Sequence, residues 1–227
     1  MSGADVQSQQ PDQLRQTICD IGWRLWTRGL CSGSDGNISV RLSEGEYLCT
    51  PSNRSKGFLS PGNLCRIDSA GRPLERGIRP SSEIRMHLAI YEERPDVSAI
   101  IHAHPPHATG FALAHRLPPH WVYAEADVLL HPIALVPYVT PGDQRLADAV
   151  RPHARKSDVL LLANHGAVCM DADLEQAYFK MEMLETFVRI VLAAEGAGGA
   201  KQLVSSDQAE LLRLRQKLRG QRFDPPG

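Results

Sequence analysis

The sequence predicts a single α/β domain: a mostly antiparallel or mixed central sheet flanked by helices. Three observations predict it. A chain of 227 residues is long enough for one substantial core, or at most two small ones. Apolar runs of strand length outnumber the helical stripes. Several of those runs are joined by loops of hairpin length, which favours antiparallel pairing.

Composition narrows the function classes. With 42% hydrophobic residues, 22% charged residues and a net charge of -1, no electrostatic argument exists for a nucleic-acid or acidic-membrane partner. No apolar run approaches the ~20 residues that span a bilayer. The first ten residues lack a basic or apolar signal region and are expected to be disordered. The five cysteines are scattered and never in C-x-x-C spacing. They read as reduced thiols of a cytoplasmic protein, and a metal here would not be held by thiolates.

Taken in order, the domain is expected over residues 11–220. A helix over 11–28 carries Leu14, Ile18, Ile21 and Leu25 on one stripe and ends at Gly29. The loop Ser32-Gly33-Ser34-Asp35-Gly36-Asn37 precedes two strands, 38–42 and 47–50, joined as a hairpin. A second polar loop, 51–57, leads to a strand at 64–68. A helix over 83–93 follows Ser81 and Ser82, a serine being the expected N-cap. The strand with His102 and His104 ends at Pro105-Pro106. Then come a small-residue helix (107–115), a strand (133–137), a helix (142–153), a strand (158–163) broken at Asn164-His165-Gly166, a returning strand (167–170) and a long helix (174–195). A last helix is expected to open with Asp207 and Glu210 as a capping box, and 221–227 reads as a mobile tail.

Four clusters carry chemistry. His102 and His104 lie at i and i+2 of a strand, so both imidazoles take one face while Ala103 takes the other. His165 sits where a strand turns back; three imidazoles with one open position suit a catalytic zinc. Glu83 near a helix start complements the macrodipole, and beside a metal it would serve as general acid/base or as a displaceable ligand. Ser81 and Ser82 put hydroxyls and free N–H groups where an anion is favoured. Gly36-Asn37 and Ser52-Asn53 are small polar turns next to strands, able to cradle phosphate. The histidines His87, His107, His115, His120, His131 and His153 are assigned to surface or structural positions, with His107 the closest in sequence to the candidate strand. Arg54 and Lys56 read as solvated surface charge.

The motifs Gly36-Asn37-Ile38-Ser39-Val40-Arg41, Thr50-Pro51-Ser52, Pro80-Ser81-Ser82-Glu83, His102-Ala103-His104 and Asn164-His165-Gly166 occur in one order. Order and spacing resemble the class II aldolase/adducin family, in particular its L-fuculose-1-phosphate aldolase branch. The resemblance implies Zn²⁺ held by His102, His104 and His165, with Glu83 as catalytic acid/base that also touches the metal. It implies a substrate phosphate held by Gly36, Asn37, Ser52, Asn53, Ser81 and Ser82. It further implies a homotetramer with sites at subunit interfaces, acting on a small phosphorylated sugar.

The expected reaction is retro-aldol cleavage of a ketose 1-phosphate to dihydroxyacetone phosphate and an aldehyde, with the enediolate stabilised by the metal. Asn53 departs from the glycine usual in that branch, although asparagine tolerates a left-handed backbone. Ser82 stands where the decarboxylase branch tends to carry lysine. Tyr123 falls in the region of the family's proton-donating tyrosine, with Glu125 close by. The alternatives are a sugar-phosphate 4-epimerase, a dehydratase, a decarboxylase, or a metal-free adducin-like binding module.

Overall fold

The computed structural model describes residues 11–223. Residues 1–10 and 224–227, where the sequence predicts a disordered start and part of the tail, lie outside the described residues. Seven strands form one sheet in the order β3-β2-β1-β4-β7-β6-β5. All pairings are antiparallel except β5 (Ile133–Val136) with β6 (Val159–Leu162). The sheet is therefore mixed, as expected.

Local chemistry explains the element ends. Helix α1 (Pro11–Thr27) buries Leu14, Ile18, Ile21 and Leu25. It closes at Gly29, whose φ of +69° is a left-handed cap, while Leu30 N–H donates to Leu25 O at 2.9 Å. Strands β1 (Asn37–Ser43) and β2 (Glu46–Cys49) pair Ser43 with Glu46, leaving a two-residue turn with Gly45 at φ +77°. Strand β3 (Cys65–Asp68) extends this meander to the sheet edge. Strand β4 (Ala99–Ala103) lies between β1 and β7 (Gly166–Asp171), and all five of its residues are buried.

Two apolar layers cover the sheet. On one face Ile101 and Ala103 pack with α1, α3 (Pro106–Leu113) and the long helix α6 (Leu174–Gly196). On the other, Ile100 packs with α2 (Ile84–Glu93) and α5 (Gln144–Ala154). His102 thus belongs to the face that carries α2, as the strand alternation requires.

Four expectations need correction. Ser82 does not cap α2: Glu83 occupies the cap position without a side-chain cap bond, and Ser81 Oγ accepts from Glu83 N–H at 3.3 Å. The segment is held otherwise, by Ser81 N–H donating to Thr50 O and by a Pro51–Pro80 bridge. Helix α4 (Ala124–Leu129) is absent from the sequence reading because six residues show no full apolar stripe. Helix α7 (Ser205–Phe223) starts two residues before Asp207, which therefore lies in its first turn rather than at its cap, and it runs through Phe223 into the expected tail. Lys56 is 1% exposed rather than solvated; its ammonium donates to Ser34 O at 3.2 Å and to Arg54 O.

No helix among the described residues is long and apolar enough to cross a membrane. Helix α6 is fastened to the sheet by Lys180, whose ammonium lies 2.9 Å from Asp158 Oδ2, Asp171 Oδ2 and Met170 O. Lys180→Met removes the cation between Asp171 and Asp158, the latter also paired with Arg94 at 2.9 Å, and is expected to cost about 3–5 kcal/mol of stability, read as a lowered urea midpoint.

Candidate active site

Backbone register brings the distant motifs together. Asn37 pairs with His102 across β1 and β4, and His102 pairs with Val168 across β4 and β7. Leu162 pairs with Gly166, so the β6–β7 turn carrying Asn164 (φ +55°) and His165 sits beside the end of β4. His104 follows β4 by one residue, with its N–H on Leu30 O at 3.0 Å. The start of α2 delivers Glu83 to the same point.

The three imidazoles His102, His104 and His165 have ring centroids 4.7–5.2 Å apart, and one nitrogen from each lies within 4.8 Å of the others. Two of the rings have their tautomers set from behind. His102 Nδ1 lies 2.9 Å from Ala167 O, a carbonyl that can only accept, so Nδ1 carries the proton. His104 Nδ1 faces Asp35 Oδ2 at 3.1 Å and donates to that carboxylate. With Nδ1 turned to these partners, the other ring nitrogens, His102 Nε2 and His104 Nε2, face each other at 3.2 Å. Glu83 Oε2 lies 3.3 Å from His102 Nε2, and Glu83 Oε1 lies 3.2 Å from His165 Nε2.

Three imidazole nitrogens and a carboxylate converging at these distances form a donor set that a cation can fill. Glu83 Oε1 and His165 Nδ1 are buried without a hydrogen bond of acceptable geometry. Burial lowers the pKa of His102, keeping that ring neutral against the opposing pull of Glu83. Burial raises the Glu83 carboxyl, but its contacts with His102 and His165 outweigh this and hold it well below the usual carboxylate range. The donor set, three imidazoles with an adjoining carboxylate, suits a borderline divalent ion such as zinc.

Two of the residues expected to hold an anion, Gly36 and Asn37, lie against the His102 strand. Gly36 is left-handed at φ +67°, and a Cβ there would lie 2.8 Å from His102 O, so the turn approaches β4 closely because it is glycine. Asn37 is buried, but its amide Nδ2 donates to Glu83 Oε2 at 3.0 Å. The side chain expected to face a phosphate is thus partly engaged in orienting the carboxylate. Ser52 lines a cavity of about 270 Å³ together with Arg54 and Arg79. Asn53 adopts the left-handed backbone at φ +55°, as its tolerance allows. Ser81 is buried and Ser82 exposed.

His107 does not join the imidazole cluster; its Nδ1 meets Glu185 at 2.6 Å, and the same carboxylate accepts from the first N–H groups of α3. Tyr123 caps α4 and packs near Phe187, and Glu125 is exposed. Sequence reasoning missed Asp35, which lies 69 residues before His104, and the buried Lys56 that ties the two polar loops together. It also missed His87, fully buried behind the site on α2, with Nδ1 at 2.7 Å from Ser39 Oγ. Burial lowers the His87 pKa to about 3. An apolar helix stripe interrupted by one histidine was the sole available signal for it.

Residues 16–192 match the family described as the Class II Aldolase and Adducin N-terminal domain. The chain belongs to the class II aldolase/adducin family. It is 32% identical over 209 residues to the 3-oxo-tetronate 4-phosphate decarboxylase of Escherichia coli strain K12, covering 87% of this chain and 94% of that protein. It is 34% identical over 173 residues to the L-fuculose phosphate aldolase of Methanococcus vannielii, covering 76% and 91%. Among solved structures it resembles YgbL from Klebsiella pneumoniae, with a TM-score of 0.83 and 31% identity over 90% of this chain and all of that one. As a class II aldolase family member it shares a sugar-phosphate lyase scaffold with these relatives.

The residues behind the imidazoles yield a test. Asp35→Asn removes the anion that orients His104 and is expected to weaken zinc binding about 10–100-fold with the fold intact. A chelator-competition titration alongside circular dichroism checks both parts.

Proposed function

We propose that this protein is a zinc-dependent class II aldolase that cleaves a small ketose 1-phosphate, resembling L-fuculose 1-phosphate, into dihydroxyacetone phosphate and an aldehyde. The observation that carries the reading is the convergence of three imidazoles on one carboxylate: His102 Nε2 lies 3.2 Å from His104 Nε2 and 3.3 Å from Glu83 Oε2, and His165 Nε2 lies 3.2 Å from Glu83 Oε1. In this reading the three histidines hold Zn²⁺ and Glu83 touches it in the substrate-free enzyme. When bound, the zinc supplies Lewis-acid stabilisation of the negative charge that develops on the substrate oxygens.

The chain's own groups do the rest. Glu83, kept ionised at neutral pH, accepts the proton of the hydroxyl next to the bond that breaks. The electron pair of that carbon–carbon bond then passes to the phosphate-bearing fragment as an enediolate, and the departing carbon becomes the aldehyde carbonyl. Glu83 returns a proton to the enediolate carbon, completing dihydroxyacetone phosphate. Its 3.0 Å contact with the Asn37 amide fixes the carboxylate for both transfers. Gly36, Asn37, Ser52, Asn53, Ser81 and Ser82 hold the phosphate through backbone N–H groups and short polar side chains, and Arg54 and Arg79 beside Ser52 add positive charge. A cytoplasmic homotetramer with sites at subunit interfaces completes the proposal on the strength of the family resemblance.

A second reading is decarboxylation of a phosphorylated 3-oxo acid, favoured by the similarity to the Escherichia coli decarboxylase. It yields the same type of enediolate, with carbon dioxide instead of an aldehyde as the departing group. Ser82 in place of lysine favours the aldolase. Epimerisation and dehydration start from the same platform and release neither product.

Parallel assays of aldehyde and carbon dioxide release with a panel of ketose 1-phosphates and 3-oxo-tetronate 4-phosphate separate these readings. Aldehyde release is expected; carbon dioxide alone would replace the aldolase with the decarboxylase. Glu83→Gln is expected to retain zinc while slowing cleavage by about 10²–10⁴-fold. Unchanged turnover in that variant would place the base elsewhere.

A further inference from the structure

A second cluster of donors lies away from the site above, where helix α4 meets the start of β5. Its members are His120, Asp127 and His131. Asp127 Oδ1 lies 3.6 Å from His120 Nδ1 and 3.6 Å from His131 Nε2. The two rings have centroids only 3.5 Å apart. Asp127 and His131 are each 1% exposed, while His120 is half-buried.

The distances are informative. At 3.6 Å a nitrogen and a carboxylate oxygen are too far apart for a good hydrogen bond. Yet two ligands at 2.0–2.1 Å from a tetrahedral ion stand about 3.3–3.5 Å apart. The second carboxylate oxygen, Asp127 Oδ2, is buried with no hydrogen-bond partner. An ionised oxygen in that state is costly unless a cation compensates it. Asp127 Oδ1 is kept in place by Trp121 N–H at 3.0 Å.

We propose that His120, Asp127 and His131 form a second divalent-metal site, taking a zinc-class ion through two imidazole nitrogens and one carboxylate oxygen. Burial favours the neutral, ligand-competent form of both imidazoles, and lowers the His131 pKa to about 3.

One group opposes the ion. Arg215 of α7 reaches the carbonyls of Asp127 and His131, at 3.4 and 3.2 Å, and its charge acts on both imidazoles. The site should therefore bind more weakly than the first. Its placement suggests what binding would do. His120 and Asp127 flank Tyr123, and the 200–204 segment is pinned here by Leu203 N–H on Trp121 O and by Gln202 on His120 O. An ion would thus lock α4, the Tyr123 cap and the approach to the last helix into one unit.

The test is equilibrium dialysis of the full chain against zinc, with metal measured per chain. The wild type is expected to take up two zinc ions, His104→Gln one and His120→Gln one. In the His104→Gln background, zinc is expected to raise the Tm, and adding His120→Gln should abolish that shift. His120 is half-buried and absent from both apolar layers, so folding of this variant and of Asp127→Asn, which should match it, is checked by circular dichroism. Uptake by the wild type of a single ion that His104→Gln loses and His120→Gln keeps would overturn the proposal and leave the first site standing. Two ions bound equally by wild type and His120→Gln would overturn it as well. Failure of the first site would show separately, as His104→Gln binding no less zinc than wild type.

Discussion

The convergence of three imidazoles and one carboxylate at the end of β4 is the constraint around which the candidate site is organised. His102 Nε2, His104 Nε2 and the Glu83 carboxylate crowd within 3.3 Å of their neighbours. No rotation of a single ring relieves the crowding, because His102 is held at its far nitrogen by the β7 backbone and His104 by Asp35. The β7 backbone and Asp35 thus hold both rings toward one point, which supports the proposed metal site. The glycine after the third imidazole belongs to the same constraint. A Cβ on Gly166 would lie 2.3 Å from His104 Cδ2 and 2.7 Å from Ala103 O, so the β6–β7 turn can close on the site only with a hydrogen in that place.

Much of the fold was legible because its signals are local. The α1 stripe, the Gly29 stop, the Glu44-Gly45 turn and the apolar runs at β6 and β7 each declare themselves within a few residues. The alternation of His102, Ala103 and His104 also held, with Ala103 in one core layer and the histidines on the other side. What could not be read was long-range placement. Asp35 sits in a loop that looks like any polar turn, and only the β1–β4 pairing brings it under His104. Asn37 reads as a phosphate-cradle residue in the linear chain, and its additional contact with Glu83 comes only from its register opposite His102. Lys56 reads as surface charge, and only the docking of the loop against α1 buries it.

The same contrast explains the two histidine clusters. His102, His104 and His165 stand in recognisable motifs, so the resemblance to class II aldolases singled them out. His120, Asp127 and His131 have no comparable spacing, and the short helix that assembles them has too few residues to show a period. Spacing along a strand is a strong cue because the alternation is fixed. Spacing across a turn and a six-residue helix is a weak one.

Lys56 carries one more implication. Its ammonium is sealed between the carbonyls of Ser34 and Arg54, one from each of the polar loops assigned to phosphate recognition. An amine-directed reagent reaches it only when those two loops part. The rate at which this single lysine becomes labelled would therefore clock the parting of the two loops, from a position outside the imidazole cluster.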